Sequence, residues 1–311
     1  MDREKIMKLC ADIEKKEGIG SVYSLGSKKA NLNIPRWTTG IEDFDEIIGG
    51  GMPKGRIVEI FGAESAGKTS LAYHLLSMHD LCLDIPIEGT FDAERARIFG
   101  NKPKQLLIYR AKYGEQAFNR MIQLSECGIP LIVVDSVPSM QPKEDIDKIK
   151  ASVNKDAEVE LRIGGIARLM TKYLPTLEEI IEQTGTTIIF INQVRDKMNA
   201  MPFGEKIDTP GGHKFKHACS LRIQVARRSW IEIPNKNPKT VETNKKVGLI
   251  MKLKIQKSKV CNPFGECEIP MFFDRGFVSF DDVKDIRKEL MKKESVMYGK
   301  KYKEEEEEEN E

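Results

Sequence analysis

The stretch Gly62-Ala63-Glu64-Ser65-Ala66-Gly67-Lys68-Thr69 follows the spacing G-x-x-x-x-G-K-[ST]. Glycine at the fixed positions lets the backbone turn tightly, so that its N–H groups face inward and cradle phosphate. A hydrophobic strand over Arg56 to Phe61 precedes the loop, and a helix from Lys68 would add its positive dipole end. The ligands implied are ATP and Mg²⁺. Glu64, Ser65, Ala66, Gly67 and Ser70 would surround the phosphates. The Lys68 ammonium would reach the β- and γ-phosphates, and the Thr69 hydroxyl would ligate the metal.

Three further side chains end apolar runs. Leu131-Ile132-Val133-Val134-Asp135 brings a carboxylate to the end of a buried strand, where it can hold Mg²⁺ through water. Ile85 to Phe91 reads as another strand, which puts Phe91-Asp92-Ala93-Glu94 at the same edge and makes Glu94 the candidate base for an attacking water. Ile189-Phe190-Ile191-Asn192-Gln193 ends in an amide able to hydrogen-bond a γ-phosphate. Gln193 also opens the segment Val194 to Gly212, rich in Gly, Pro, Met and basic residues, as a switch loop ordered by nucleotide would be. The catalytic candidates are therefore Lys68, Glu94 and Gln193, with Thr69 and Asp135 at the metal. His213 and His217 could share a helix face, but with no carboxylate or cysteine beside them they read as solvated or DNA-facing. The six cysteines form no Cys-x-x-Cys pair, which argues against a thiolate zinc site and fits a reducing compartment.

The elements that must position these groups alternate in βα fashion. Strands are predicted at Leu106 to Tyr109, Pro130 to Asp135 and Thr187 to Asn192, and helices at Gly114 to Cys127 and Glu160 to Glu182. Short all-apolar runs suit parallel strands covered on both faces. After Gly212 the pattern turns to strands joined by turns: Leu221 to Ala226, Gly248 to Ile255 and Gly265 to Phe273. The predicted fold is α/β with a mostly parallel central sheet. In front of it, residues 2–17 place Ile6, Leu9, Cys10 and Ile13 on one helix face, and Ser21 to Leu25 reads as a short strand. Such a helix–strand appendage often packs on a neighbouring copy. The predicted organisation is 1–35 for appendage and linker, 36–280 for the core, 281–303 for a charged helix, and 304–311 for a disordered acidic tail. That tail holds seven glutamates; without them a net charge of +2 becomes +9, a basic body suited to a polyanion. No apolar run approaches the roughly 18 residues a membrane span needs, and the N-terminus lacks a signal-like apolar core. A soluble cytoplasmic protein without membrane contact is expected.

Taken together, the P-loop, Phe-Asp-Ala-Glu, Val-Val-Asp-Ser, Phe-Ile-Asn-Gln-Val-Arg and Thr-Pro-Gly-Gly follow the order and spacing of bacterial and phage RecA recombinases. Lys257-Ser258-Lys259 before Asn262-Pro263-Phe264 resembles that family's late paired-lysine strand. Gly20 to Gly26 and Gly55 to Ile60 resemble it as well, so the likeness covers about residues 1–280. It implies a RecA-type ATPase core that polymerises as a homo-oligomeric helical filament on single-stranded DNA and pairs it with homologous duplex, with DNA-stimulated ATP hydrolysis. Single-strand-binding or loader proteins would be further partners. The resemblance gives Glu94 the water and lets Gln193 couple the γ-phosphate to a DNA loop. Lys257 and Lys259 would reach the ATP of the adjacent protomer. Two DNA loops would span about 139–164 and 194–212, with Arg168, Arg195, Lys197, Gly211, Gly212 and Lys214 touching the DNA backbone.

The chain departs from the family in several places. The tyrosine that stacks on adenine has no clear counterpart, leaving Arg95 or Tyr113. Glu144, Asp145, Asp147 and Asp156 make the first loop acidic, and His213 to His217 replaces a more apolar segment. Residues 281–303 are too few for the family's C-terminal domain, a compact form suggestive of a phage or mobile element. Two other readings use the same P-loop: a hexameric helicase core, and a regulator that binds nucleotide but only modulates recombinase filaments.

Overall fold

A computed structural model describes residues 2–17, 22, 34–89, 91–153, 164–196, 207–235 and 243–308, with the backbone alone for Glu17, Asp196 and residues 297–308. The chain divides into two units, residues 1–35 and 36–311. The first holds helix α1 (Arg3–Glu17). Of the strand predicted at Ser21 to Leu25, all but Val22 lies outside the described residues.

The second unit begins with β1 (Arg36–Trp37), α2 (Glu42–Ile47) and β2 (Met52–Pro53), where β1 and β2 pair antiparallel. There follow β3 (Ile57–Gly62), α3 (Lys68–Leu76), β4 (Cys82–Pro86), α4 (Ala93–Ile98), β5 (Leu106–Ile108), α5 (Gly114–Glu126) and β6 (Leu131–Asp135). Next come α6 (Lys143–Val153), α7 (Gly165–Thr184), β7 (Thr187–Gln193), the short β8 (Arg195–Asp196) and β9 (Ile207–Asp208), and α8 (Gly212–Ala218). The chain closes with β10 (Leu221–Pro234), β11 (Asn244–Ser258), β12 (Glu266–Phe272), β13 (Gly276–Phe277) and α9 (Phe280–Glu308).

Nine strands form one sheet in the order β13-β12-β11-β10-β3-β7-β6-β4-β5. From β10 to β5 all pairings are parallel, and from β10 to β13 all are antiparallel. The fold is thus α/β with a mostly parallel sheet, as the RecA resemblance implies. Side chains alternate along a strand, so each parallel strand feeds two cores. Val58, Ile60, Val133, Ile189 and Ile191 pack with α3 on one face. Ile57, Ile132, Val134, Ile188 and Phe190 pack with α5, α7 and α8 on the other. Strand order then brings the ends of β3, β4, β6 and β7 to one edge, where an open α/β sheet binds its ligands.

Several boundaries differ from the sequence expectation. The strand predicted at Ile85 to Phe91 is β4, which ends at Pro86; buried Asp84 disguised its apolar character and proline then closes it. The first predicted DNA loop holds helix α6, whose amphipathic pattern lay hidden under its acidic residues. Within the second, β8 pairs with β9 and α8 begins at Gly212, while residues 197–206 lie outside the described residues. β10 and β11 run 14 and 15 residues, well beyond the predicted strands. Helix α9 continues to Glu308 rather than giving way at residue 304, in keeping with the high helix propensity of Glu and Lys. Its Val283, Ile286 and Leu290 pack on Ile231, Ile233 and Val247 of the β10–β11 pair.

Candidate functional site

β3 delivers the chain into the glycine loop. Ser65 and Gly67 adopt φ of +56° and +95°, which turns the loop inward before Lys68 opens α3. A side chain at Gly67 would be strained and would also meet the Met251 Cε at 2.4 Å. Lys68 is buried, and its Nζ donates to the carbonyl oxygens of Gly62 (3.0 Å) and Ala63 (2.8 Å). Burial holds its pKa below the usual lysine range, against the upward pull of Asp135, Glu88 and Glu64. A desolvated ammonium at the N-terminus of α3 suits a polyphosphate.

The Thr69 hydroxyl donates to Asp135 Oδ2 at 2.8 Å. Asp135 ends β6 and is raised in pKa, first by burial and further by the Glu88 charge, while the Thr69 hydrogen bond and Lys68 oppose the rise. A hydroxyl and a crowded carboxylate, both hard oxygen donors, suit Mg²⁺. Among the described residues no group of three or more His, Cys, Asp or Glu could hold a metal alone. Phosphate oxygens and water would have to complete the shell.

Glu94, expected as the base, is exposed in the first turn of α4, because β4 ends before it. The carboxylate at the site is Glu88, which the sequence reading passed over. The N–H groups of Ile87 and Glu88 donate to the Asp135 carbonyl at 2.7 and 3.2 Å, which holds the turn after β4 against the end of β6. Glu88 Oε1 accepts from Gln193 Nε2 at 3.0 Å and also from the Ser136 hydroxyl. Four strand ends thus bring together Lys68, Thr69, Glu88, Asp135 and Gln193. Pro86 followed by Glu88-Gly89 was the available signal, since proline closes a strand and glycine marks a turn.

A cleft of about 350 Å³ runs from the loop past Ser70 to Arg95, Trp230 and Phe273. The Arg95 guanidinium donates to Ser70 Oγ through Nε (3.2 Å) and an Nη (2.8 Å) and lies 5.9 Å from the Phe273 ring centre. Of the two candidates for base stacking, Arg95 lines this cleft. Tyr113 instead precedes α5 with the Lys143 ammonium over its ring.

Lys257 and Lys259 sit elsewhere. β11 brings Lys257 opposite Arg222, itself opposite Glu59, so the two lysines lie three or more residues of strand, roughly 10 Å or more, from the level of Gly62. Lys257 Nζ donates to the carbonyls of Lys216, His217 (3.1 Å) and Cys219 (2.9 Å), capping the C-terminal end of α8. Burial and then the Lys259 charge lower its pKa. Lys259 is exposed.

Of the predicted DNA contacts, Lys197 lies outside the described residues. Arg168 stands exposed in the first turn of α7, Arg195 lies in β8 and Lys214 is exposed in α8. Gly211 caps α8 with φ +113°. Gly212 lies so close to α7 that a Cβ would meet that of Ala167 at 2.8 Å, which brings the Arg168 turn and the start of α8 together.

The RecA N-terminal domain family matches residues 4–278. Among curated relatives, protein RecA of Syntrophus aciditrophicus is 35% identical over 307 residues, 96% of this chain and 84% of that one. Protein RecA of Campylobacter fetus is 33% identical over 279 residues, 88% and 76% of the two chains. That of Cereibacter sphaeroides is 32% identical over 293 residues, 92% and 80%. Among the described residues no helix is long and apolar enough to cross a membrane.

Proposed function

This chain belongs to the RecA family, and on that ground we propose that it is a cytoplasmic, ATP-dependent DNA recombinase. It polymerises on single-stranded DNA, pairs that strand with homologous duplex, and hydrolyses ATP in response to DNA. The observation that carries this reading is the joining of the phosphate-loop edge to the following segment, Glu88 accepting from Gln193 beside the Thr69–Asp135 pair.

In this reading the loop N–H groups from Glu64 to Ser70 and the Lys68 ammonium bind the triphosphate. Thr69 and Asp135 would hold Mg²⁺, which when bound neutralises charge between the β- and γ-phosphate oxygens. Glu88, rather than Glu94, orients and deprotonates the attacking water, and Gln193 senses the γ-phosphate. Arg95 stacks on the base. Arg168, Arg195, Lys197, Lys214 and the backbone at Gly211 and Gly212 meet DNA phosphates. Lys257 and Lys259, too far from their own loop, serve the nucleotide of the adjacent protomer. The unit 1–35 packs on that neighbour.

Electron microscopy with long single-stranded DNA and Mg·ATP tests the reading. Continuous helical filaments are expected. Discrete rings would replace it with a hexameric motor, and bare DNA with a modulator of other filaments.

A further inference from the structure

A charged side chain of the core, that of Glu59, has no part in the site above. Glu59, in the middle of β3, is fully buried between β7 and β10, on the face otherwise filled by Ile57, Ile188 and Phe190. Both its oxygens are engaged: Oε1 accepts from Asn192 Nδ2 at 2.8 Å, and Oε2 accepts from the Arg222 guanidinium. These two partners reach opposite legs of one segment. Asn192 precedes Gln193, accepts from the Gln193 N–H at 3.0 Å, and also donates to the Pro210 carbonyl at 2.8 Å. Arg222 donates to Thr209 Oγ1 at 3.1 Å. The Thr209 N–H in turn donates to Asp208, which accepts from Lys216 of α8.

A buried ion pair is weak evidence for stability, since apolar groups of similar volume hold strands together as well or better. An apolar group could not fix the direction of its two polar partners, Asn192 and Arg222. We propose that Glu59 is a positioning residue: its carboxylate clamps the outgoing leg at Asn192 and the returning leg at Thr209–Pro210 to the strand that enters the phosphate loop. Displacement of Gln193 by nucleotide is thereby delivered to α8. A cavity of about 250 Å³, lined by Ile207, Asp208, Thr209, Lys216 and Arg222, leaves the returning leg room to move. The proposal rests on the nucleotide-binding part of the function above and adds the route by which the site acts on α8.

The test is amide hydrogen exchange over residues 208–218, with and without saturating Mg·ATPγS, alongside the calorimetric affinity for that nucleotide. In the native protein, nucleotide should change exchange there by about tenfold. Thr209→Val removes the Arg222 acceptor but keeps shape, and should lose most of that response at unchanged affinity. Thr209→Ser, which keeps the hydroxyl, should retain it. Glu59→Gln should lose it too, and the threonine pair decides the matter should that variant not fold. A response kept in Thr209→Val, or lost equally in Thr209→Ser, would overturn the clamp. So would native protein that binds nucleotide without any response. Absence of nucleotide binding would instead overturn the functional reading and the clamp with it.

Discussion

The two halves of the nine-stranded sheet use their strands differently. In the parallel half, β3, β4, β6 and β7 are buried along nearly their whole length, and what they offer to chemistry lies at or just beyond their C-terminal ends: the loop after Gly62, Glu88, Asp135 and Gln193. In the antiparallel half, β10 and β11 alternate buried and partly exposed residues, and their functional candidates, Lys257 and Lys259, lie at the opposite edge. A parallel sheet therefore concentrates one protomer's groups at one edge. An antiparallel extension can carry groups away from that edge, where only another protomer could use them.

The contrast is tested most severely at Lys68. Lys68→Ala removes the buried ammonium of the phosphate loop and should weaken Mg·ATP binding on the order of 100-fold, the loss of a charge-assisted contact of about 3 kcal/mol. Titration calorimetry reads this directly. Next comes the identity of the carboxylate. Glu88→Gln should lower ATP turnover by roughly 10²- to 10⁴-fold, the usual worth of a general base, while nucleotide still binds. Glu94→Gln, exposed on α4, should change turnover by less than about twofold. The reverse pattern would return the base to Glu94.

For the antiparallel half, Lys259→Ala is the cleaner substitution, because Lys257 also caps α8. Alone it should lower filament turnover. Mixed with Lys68→Ala it should regain part of that turnover, since some interfaces then pair an intact loop with intact lysines. Mixed filaments with no recovery would place Lys259 outside the site. The last test concerns the interior of β4. Burial, reinforced by Asp135, pushes Asp84 up to about 8. Folded protein therefore holds this proton more tightly than unfolded protein, whose Asp titrates near 3.9, and stability falls as pH rises from about 4 toward 8. Asp84→Asn should flatten that slope and be the more stable protein at pH 8, as denaturant melts at several pH values would show.

Much of this was legible in the sequence because parallel strands read as apolar runs with one polar terminus. The loop, Asp135 and Gln193 needed no more than that pattern. Glu88 was hard to read for a local reason: Asp84 breaks the apolar run of β4, so the expected strand ends at Phe91, five residues beyond Pro86, and points to Glu94 instead. The clamp was illegible for a different one. Glu59, Asn192, Thr209 and Arg222 stand far apart in sequence, and only the register of β3 against β7 and β10 brings them to one point. Helix α6 was hidden because charged residues on an amphipathic helix look like a solvated loop.

The measurement closest to the centre of this account is steady-state ATP turnover of the full chain with and without long single-stranded DNA, at fixed Mg·ATP and low salt. If the Glu88–Gln193 contact joins the phosphate edge to a DNA-facing segment, turnover should rise by at least about tenfold on adding DNA, the effect of organising one catalytic group. Equal turnover in its presence and absence would contradict the coupling.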